Sequence, residues 1–241
     1  MTTPATALVI TGLDFSSSDK PTRPADRAAT EDRKRHGSKV NRSLRFGGYA
    51  MLPRMSAALI VPTLAAGSFR LRPFALTDVD AVREASGDPY IPLITTVPAA
   101  FTEDEGRQFI ERQWDRAERG TGYSLAIADG VTGHAVGQIG LWLKDLSEGR
   151  ASIGYWVARS ARGRRAAGTA LQALALWAFH DLQIPRLQLY VEPWNIASIT
   201  TAERAGFVRE GLLRNWQEVE GKRRDMYMYA RLLGDLVPSA S

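Results

Sequence analysis

From Ser68 onward the chain switches repeatedly between apolar residues at every second position and apolar residues at every third or fourth. "SFRLRPF" reads as a strand. "TDVDAVREA" reads as a short helix, with Thr77 as its N-cap and Asp80 as the reciprocating N3 residue. Thr102 and Glu105 repeat that device at the head of a longer helix running to Arg119. Between these helices, "GDPYIPLITTVP" is Pro-rich and reads as an irregular loop, long enough to line a pocket. Three runs follow, "GYSLAIA", "HAVGQIGLWL" and "RASIGYWVA", joined by the turn signals "ADGVTG" and "KDLSEG"; they predict an antiparallel meander. Ala167, Leu171, Leu174, Ala175, Ala178 and Leu182 then recur at helical spacing and predict a helix with one buried stripe. "RLQLYV" is a strand, "NIASITTAERAG" a short helix closed by Gly206, and "FVREGLL" and "DMYMYARL" are final strands. No internal repeat interrupts this order. The succession predicts an α+β fold with a mixed sheet and a strand–loop–helix unit in its middle.

The segment ahead of Ser68 has a different pattern. From Phe15 to Asn41 large apolar residues are nearly absent, so burial cannot offset the entropy of ordering, and residues 1–60 are expected to form a disordered leader. Met51 and Met55 stand just before the globular pattern begins; either could be the true start, and a basic tail is the other reading. The expected division is a leader over 1–60, a folded domain over 68–234 and a tail over 235–241.

Charge sharpens this division. The chain carries a net charge of +5, yet residues 1–60 hold 10 Lys or Arg against 5 Asp or Glu, while residues 61–241 hold 21 against 21. The folded part has no global basic bias, which argues against nucleic acid as its partner. No window reaches the ~18 uninterrupted apolar residues of a membrane span, and the first residues lack the basic-then-apolar order of a secretory signal. The absence of cysteine removes disulfides, thiolate metal sites and a cysteine nucleophile, and fits a cytoplasmic location. The three histidines, His36, His134 and His180, have no partners at metal-ligand spacing, so no metal is expected.

One stretch runs against electrostatic preference. In "ARSARGRRAAGTALQALALWAF", Arg159, Arg162, Arg164 and Arg165 crowd the start of a helix, where the macrodipole disfavours each cation by roughly 0.3–1 kcal/mol. Free backbone N–H groups converge at such a helix start. Gly163, Ala166, Ala167 and Gly168 would let an anion approach them closely, and guanidinium groups suit phosphate oxygens. A bound diphosphate would offset the dipole penalty. The alternative is a solvated, Arg-rich helix start.

"RGRRAA", from Arg162 to Ala167, resembles the R/Q-x-x-G-x-G/A loop of the GNAT family, the acyl-CoA-dependent N-acetyltransferases, with Arg165 in place of the middle glycine. "IGYWVARSARGRRAAGTALQALALWAF", "LQLYVEPWNIASITTAERAGFVREGLLR", "EGKRRDMYMYARL" and "FRLRPFALTDVDAV" are together similar to the branch containing the ribosomal-protein alanine N-acetyltransferases, over roughly Ser68 to Leu233. The resemblance implies a mixed, mostly antiparallel sheet of about seven strands flanked by about four helices. It implies acetyl-CoA as cosubstrate, its diphosphate on Arg162 to Gly168 and its pantetheine arm on freed backbone groups of Gly154, Tyr155, Trp156 and Val157. It also implies pantetheine contact for Asn195 and a proton-donating role for Ser198, although an N-cap and a helix-start residue are equally good local readings of that pair. Trp194 is expected to line the cofactor or acceptor groove, with ordinary surface packing as the alternative. No base is assigned: Ser152 stands where many relatives have Glu, which leaves a water chain, a carboxylate such as Glu192 or Asp225, or an amine that arrives neutral. Tyr90 to Phe101 and Asn215 to Arg224 should frame the acceptor. The resemblance implies an N-terminal protein amine as acceptor, with a small-molecule amine as the alternative; a catalytically inactive nucleic-acid-binding protein is a third reading, from another class. A monomer or homodimer is expected.

Overall fold

The computed structural model describes residues 8–9 and 58–236. Most of the expected leader, with His36, Met51 and Met55, lies outside the described residues, as do residues 237–241. In chain order the strands are β1 (Leu8–Val9), β2 (Leu64–Ala66), β3 (Phe69–Arg72), β4 (Gly122–Asp129), β5 (Ala135–Trp142), β6 (Arg150–Val157), β7 (Arg186–Val191), β8 (Val208–Val219) and β9 (Lys222–Leu232). The helices are α1 (Val79–Ser86), α2 (Ile91–Ile94), α3 (Glu103–Glu118), α4 (Ala166–His180) and α5 (Ile196–Arg204).

The strands form one sheet in the order β2-β3-β4-β5-β6-β7-β9-β8, with β1 added against β6. Every pairing is antiparallel except β6 with β7. That exception follows from connectivity, since α4 provides the crossover that parallel neighbours require. Strand alternation sends side chains to two separate cores. On one face Tyr155 and Val157 of β6 and Leu187, Leu189 and Val191 of β7 pack with Leu171, Leu174, Ala178 and Phe179 of α4. On the other, Trp156 of β6 and Tyr190 of β7 pack with Val82, Phe109 and Ile110 of α1 and α3. Burial of each such large side chain contributes about 1.5–3 kcal/mol.

The predicted mixed α+β architecture is present, with two differences in the count of its parts. The described residues contain nine strands and five α-helices, because the short β2 and β1 and the single-turn α2 were not anticipated. The Pro-rich segment is therefore partly scaffold: Ile91 and Ile94 of α2 are buried in the second core. Asn215 to Arg224, expected to frame the acceptor, is mostly strand, since β8 and β9 continue as a hairpin to a turn at Glu220 and Gly221. At Asn215, where φ is 50°, the register shifts, and its amide donates to Asp225 Oδ1 at 2.8 Å.

Helix α3 begins as predicted, the Thr102 side chain accepting from the Glu105 amide. Helix α1 does not. Its N-cap is Asp78, whose carboxylate is drawn to Arg72 at 2.7 Å and to the Ala75 amide at 2.8 Å, while Asp80 pairs with Arg83. A buried ion pair outcompeted the local cap at Thr77. Leu182 lies beyond the end of α4 and is half-buried, the other five stripe residues being buried. His134 and His180 are exposed. Among the described residues no helix is long and apolar enough to cross a membrane.

Candidate active site

Strands β6 and β7 pair only from Arg150↔Arg186 to Ser152↔Gln188, although both continue beyond that point. Past Ser152 they separate and leave a wedge that opens toward the carboxyl ends of the strands, the usual location of a ligand site in sheets with parallel neighbours. Strand β1 lies in this wedge. Leu8 and Val9 pair with Trp156 and Tyr155 of β6, and β1 also touches β7 and α5. The edge that the family resemblance leaves free for a pantetheine arm is here paired with a strand from the chain's own N-terminal segment.

The loop after β6 leads into α4. Helix α4 starts without a side-chain cap: Arg165 is the N-cap residue, at φ 65°, and its side chain accepts no amide. The first-turn N–H groups of Ala166, Ala167 and Gly168 accordingly have no intrahelical acceptor. They face a cleft of about 450 Å³ that also touches Ala161, Arg162, Gly163, Arg165, Gln172 and, across from them, Ile196, Thr200, Thr201 and Arg204 of α5. A Cβ built on Gly163 or Gly168 meets no atom within 4 Å, so the cradle is open at both positions.

The four arginines do not act alike, and Arg159, in the turn Arg159–Ala161, is simply exposed. Arg162 is largely buried and donates to Asp88 Oδ2 at 2.6 Å and to the Val157 carbonyl at 3.2 Å. Burial works to raise the Asp88 carboxyl, but the hydrogen bond from Arg162 and those from the Tyr90 and Ile91 amides outweigh it and hold the group below its ordinary value. Arg164 turns to Asp129, 2.5 Å away, and stacks over Phe69 with its guanidinium 5.3 Å from the ring centroid. It does not line the cleft. The Ser160 amide and hydroxyl both donate to Glu84, at 2.7 and 2.8 Å. Three carboxylates, Glu84, Asp88 and Asp129, thus tether the arginine-rich loop. Arg165 lines the cleft and forms no ion pair among the described residues, which leaves its charge available to an anion.

On the α5 side of the wedge, Asn195 caps the helix, its side chain accepting from the Ser198 amide at 3.2 Å. Asn195 and Ser198 are both buried. The hydroxyl of Tyr155 is buried beside Ser198 and Thr201 without a well-formed hydrogen bond; burial pushes this phenol up, while those two hydroxyls draw it back. An orphaned buried hydroxyl next to Ser198, together with an uncapped helix start and an open glycine cradle, suits a ligand with a polar arm and an anionic end.

Sequence reasoning missed the support behind Trp156. Its indole N–H donates to Gln138 Oε1 at 2.6 Å, and Gln138 donates to Gln113 at 2.8 Å and to Ser124 at 2.7 Å. Gln113 in turn donates to the Phe109 carbonyl at 2.6 Å. This network locks β6 against α3, and its directly bonded side chains lie 11 to 25 residues apart, a spacing that carries no local signal. Trp194 is about half exposed and stands edge-on to Tyr90, with ring centroids 4.9 Å apart.

Comparison with known proteins agrees with this architecture. The model of the acetyltransferase (GNAT) domain matches residues 68–208, more than half of the chain. The uncharacterized N-acetyltransferase p20 of Bacillus licheniformis is 29% identical over 170 residues, covering 70% of this chain and 96% of that protein. Among solved structures, RimJ of Mycobacterium smegmatis, in complex with a CoA disulfide, is 26% identical, with a TM-score of 0.60 over 73% of this chain and 88% of that one. The ribosomal-protein-S5-alanine acetyltransferase of Vibrio fischeri shares the fold at 16% identity, with a TM-score of 0.59 over 73% of this chain and 100% of that one. The sheet that splits between β6 and β7, the uncapped start of α4 and the family match place the chain in the GNAT acetyltransferases, enzymes that take their acetyl group from acetyl-CoA.

Proposed function

We propose that this N-acetyltransferase modifies the N-terminal amine of a protein, in the manner of the ribosomal-protein alanine enzymes. The similarity to RimJ and to the S5-alanine acetyltransferase supports that acceptor. The observation that carries the site is the wedge between β6 and β7 set beside the uncapped start of α4.

In this reading the amides of Gly163 to Gly168 and the Arg165 guanidinium hold the diphosphate. Arg162 and Arg164 serve the cradle indirectly, by fixing its backbone through Asp88 and Asp129. The backbone of Tyr155, Trp156 and Val157, with Asn195, holds the pantetheine arm, and these backbone N–H groups polarise the carbonyl to be attacked. Acetyl-CoA supplies the acetyl group as a thioester. Ser198 lies on the α5 side of the wedge and protonates the departing sulfur, with the Tyr155 hydroxyl beside it to share and return the proton. No covalent intermediate on the enzyme is needed, in keeping with a chain that has no cysteine.

The test is acetyl-CoA turnover, read as free thiol, against a panel of N-terminal peptides, a panel of small primary amines and no acceptor. Turnover with peptides supports the proposal. Turnover confined to small amines would replace it with the small-molecule reading.

A further inference from the structure

Glu192 follows directly on β7, in the half of that strand that has parted from β6. Its side chain is almost fully buried, 4% exposed. The Tyr90 hydroxyl donates to one carboxylate oxygen, and the Trp194 indole N–H donates to the other at 2.5 Å. Both donors are neutral, and among the described residues no Lys or Arg forms an ion pair with this carboxylate. A desolvated carboxylate without a cation is costly, and two donors leave about half of its lone-pair sites unused. A nearby cation, Arg224 of β9, acts on the Tyr90 hydroxyl and forms no direct ion pair with the carboxylate, which leaves the group room to take a positive partner.

Its surroundings suit an amine. Tyr90 packs with the second core, on the face of the sheet opposite α4 and α5, so Glu192 and Ser198 approach the wedge from opposite sides. Two residues before Glu192, Tyr190 stacks on Trp216 at 5.5 Å, and Trp194 and Trp216 are each about half exposed. Aromatic faces around a carboxylate attract ammonium groups. The other candidate carboxylate, Asp225, is occupied with the Asn215 amide at the β8 register shift.

We propose that Glu192 binds the acceptor's ammonium group and removes its proton, with Tyr90 and Trp194 as the residues that position the carboxylate. An N–H bond of the ammonium breaks and its proton passes to a Glu192 oxygen. The freed lone pair on nitrogen forms the C–N bond to the thioester carbon. The C–S bond breaks with its electrons on sulfur, which takes a proton from Ser198. The surplus proton on nitrogen replaces the one Ser198 gave, by way of solvent, and Glu192 releases its own to solvent. The net products are the amide, the thiol and one proton.

The titratable and charged groups around the carboxylate are Tyr90, from the segment ahead of α2, and Arg224 of β9, which acts on the Tyr90 hydroxyl. Behind Tyr90 lies the Asp88–Arg162 pair. Burial and the Glu192 carboxylate raise the Tyr90 phenol, and Arg224 works against them, so Tyr90 remains a donor throughout the working pH range.

The proposal rests on the acetyltransferase reading but not on the acceptor class. The full chain is therefore assayed with whichever acceptor of the two panels the wild type turns over fastest. In Glu192→Gln, kcat near pH 7 is expected to fall 100-fold or more. Its rate should then climb tenfold per pH unit toward the amine's own pKa, the wild type's acid limb being lost. The KM for acetyl-CoA and the melting shift given by CoA should stay unchanged. Calorimetry with CoA present should show the amine bound at least tenfold more weakly. A Glu192→Gln profile that keeps the wild-type limb, or a loss below about threefold, overturns the proposal. If Glu192→Gln lacks the CoA-induced melting shift, Tyr90→Phe decides instead. Removing one donor should move the acid limb upward with CoA protection retained, and an unmoved limb overturns the assignment.

Discussion

Arg165 holds a conformation that its side chain disfavours. At φ 65° an L-residue other than glycine gives up about 1 kcal/mol, and the family motif has glycine at this position. Here the guanidinium compensates by facing the cleft, so the residue trades stability for charge at the cradle. Arg165→Gly is therefore expected to raise unfolding free energy by about 1 kcal/mol in urea titrations while weakening CoA binding. A variant that gained no stability would show that the backbone at this position is not strained. Ser198 permits a separate test at the same scale. Its amide caps onto Asn195, an interaction that Ser198→Ala preserves, so the variant should lose turnover, read as kcat, with CoA affinity nearly intact. Equal losses in both would leave Ser198 as a helix-start residue alone. At both positions the sequence displayed the residue but not its orientation. Arg162 and Arg164 read as anion-binding groups because a guanidinium in a glycine-rich loop suits phosphate, and their actual partners, Asp88 and Asp129, lie 74 and 35 residues away.

Among the elements, the tethered loop between β6 and α4 determines how the cradle responds to acid. The hydrogen bond from Arg164, followed by those from the Thr132 and Val131 amides, holds the Asp129 carboxyl at about 2, and Asp88 is likewise below its ordinary value of 3.8. Carboxyls that titrate lower in the folded state contribute stability that is complete above their unfolded values and is lost as pH falls through the folded ones. Melting temperature should therefore hold down to about pH 4 and drop between there and pH 2, and Arg164→Ala should shrink the Asp129 share of that drop. Asp88→Asn leaves Arg162 buried without its counter-ion and is expected to cost about 3 kcal/mol in urea unfolding. Strand β1 sets the other expectation. It pairs with Tyr155 and Trp156, the backbone positions assigned to the pantetheine arm, so the two exclude each other. A chain starting at Met55 should show a lower KM for acetyl-CoA than the full chain, and equal values would mean that β1 yields the edge at no cost.

For the molecule as a whole, the proposed assignments put the two halves of the reaction on opposite faces of the sheet. The face carrying α4 and α5 provides the cradle, Asn195 and Ser198; the face carrying α1 to α3 provides Tyr90, Glu192 and the exposed tryptophans. In the proposed reading the gap where β6 leaves β7 joins the two sides. This division predicts that substitutions on the two sides act independently. Glu192→Gln should change acceptor kinetics without changing CoA affinity, Arg165→Gly the reverse, and the double variant should show nearly additive losses. Strong coupling between them would indicate a single shared pocket.

Most of the scaffold could be read from the chain because its signals are local. The meander from Gly122 to Val157 alternates apolar residues with period two, the stripe of α4 recurs at helical spacing, and Thr102 and Asn195 carry their caps within three residues. The arginine-rich, small-residue start of α4 could be read for the same reason, although its lack of a side-chain cap could not. What the chain could not display were partners chosen across the fold. Asp78 takes Arg72 rather than yielding to Thr77, Asp88 and Asp129 occupy the arginines, and Glu192 meets Tyr90 from 102 residues away. Buried charges and polar groups must find partners wherever packing brings them, and only the tertiary arrangement determines which carboxylate receives an arginine and which receives neutral donors alone.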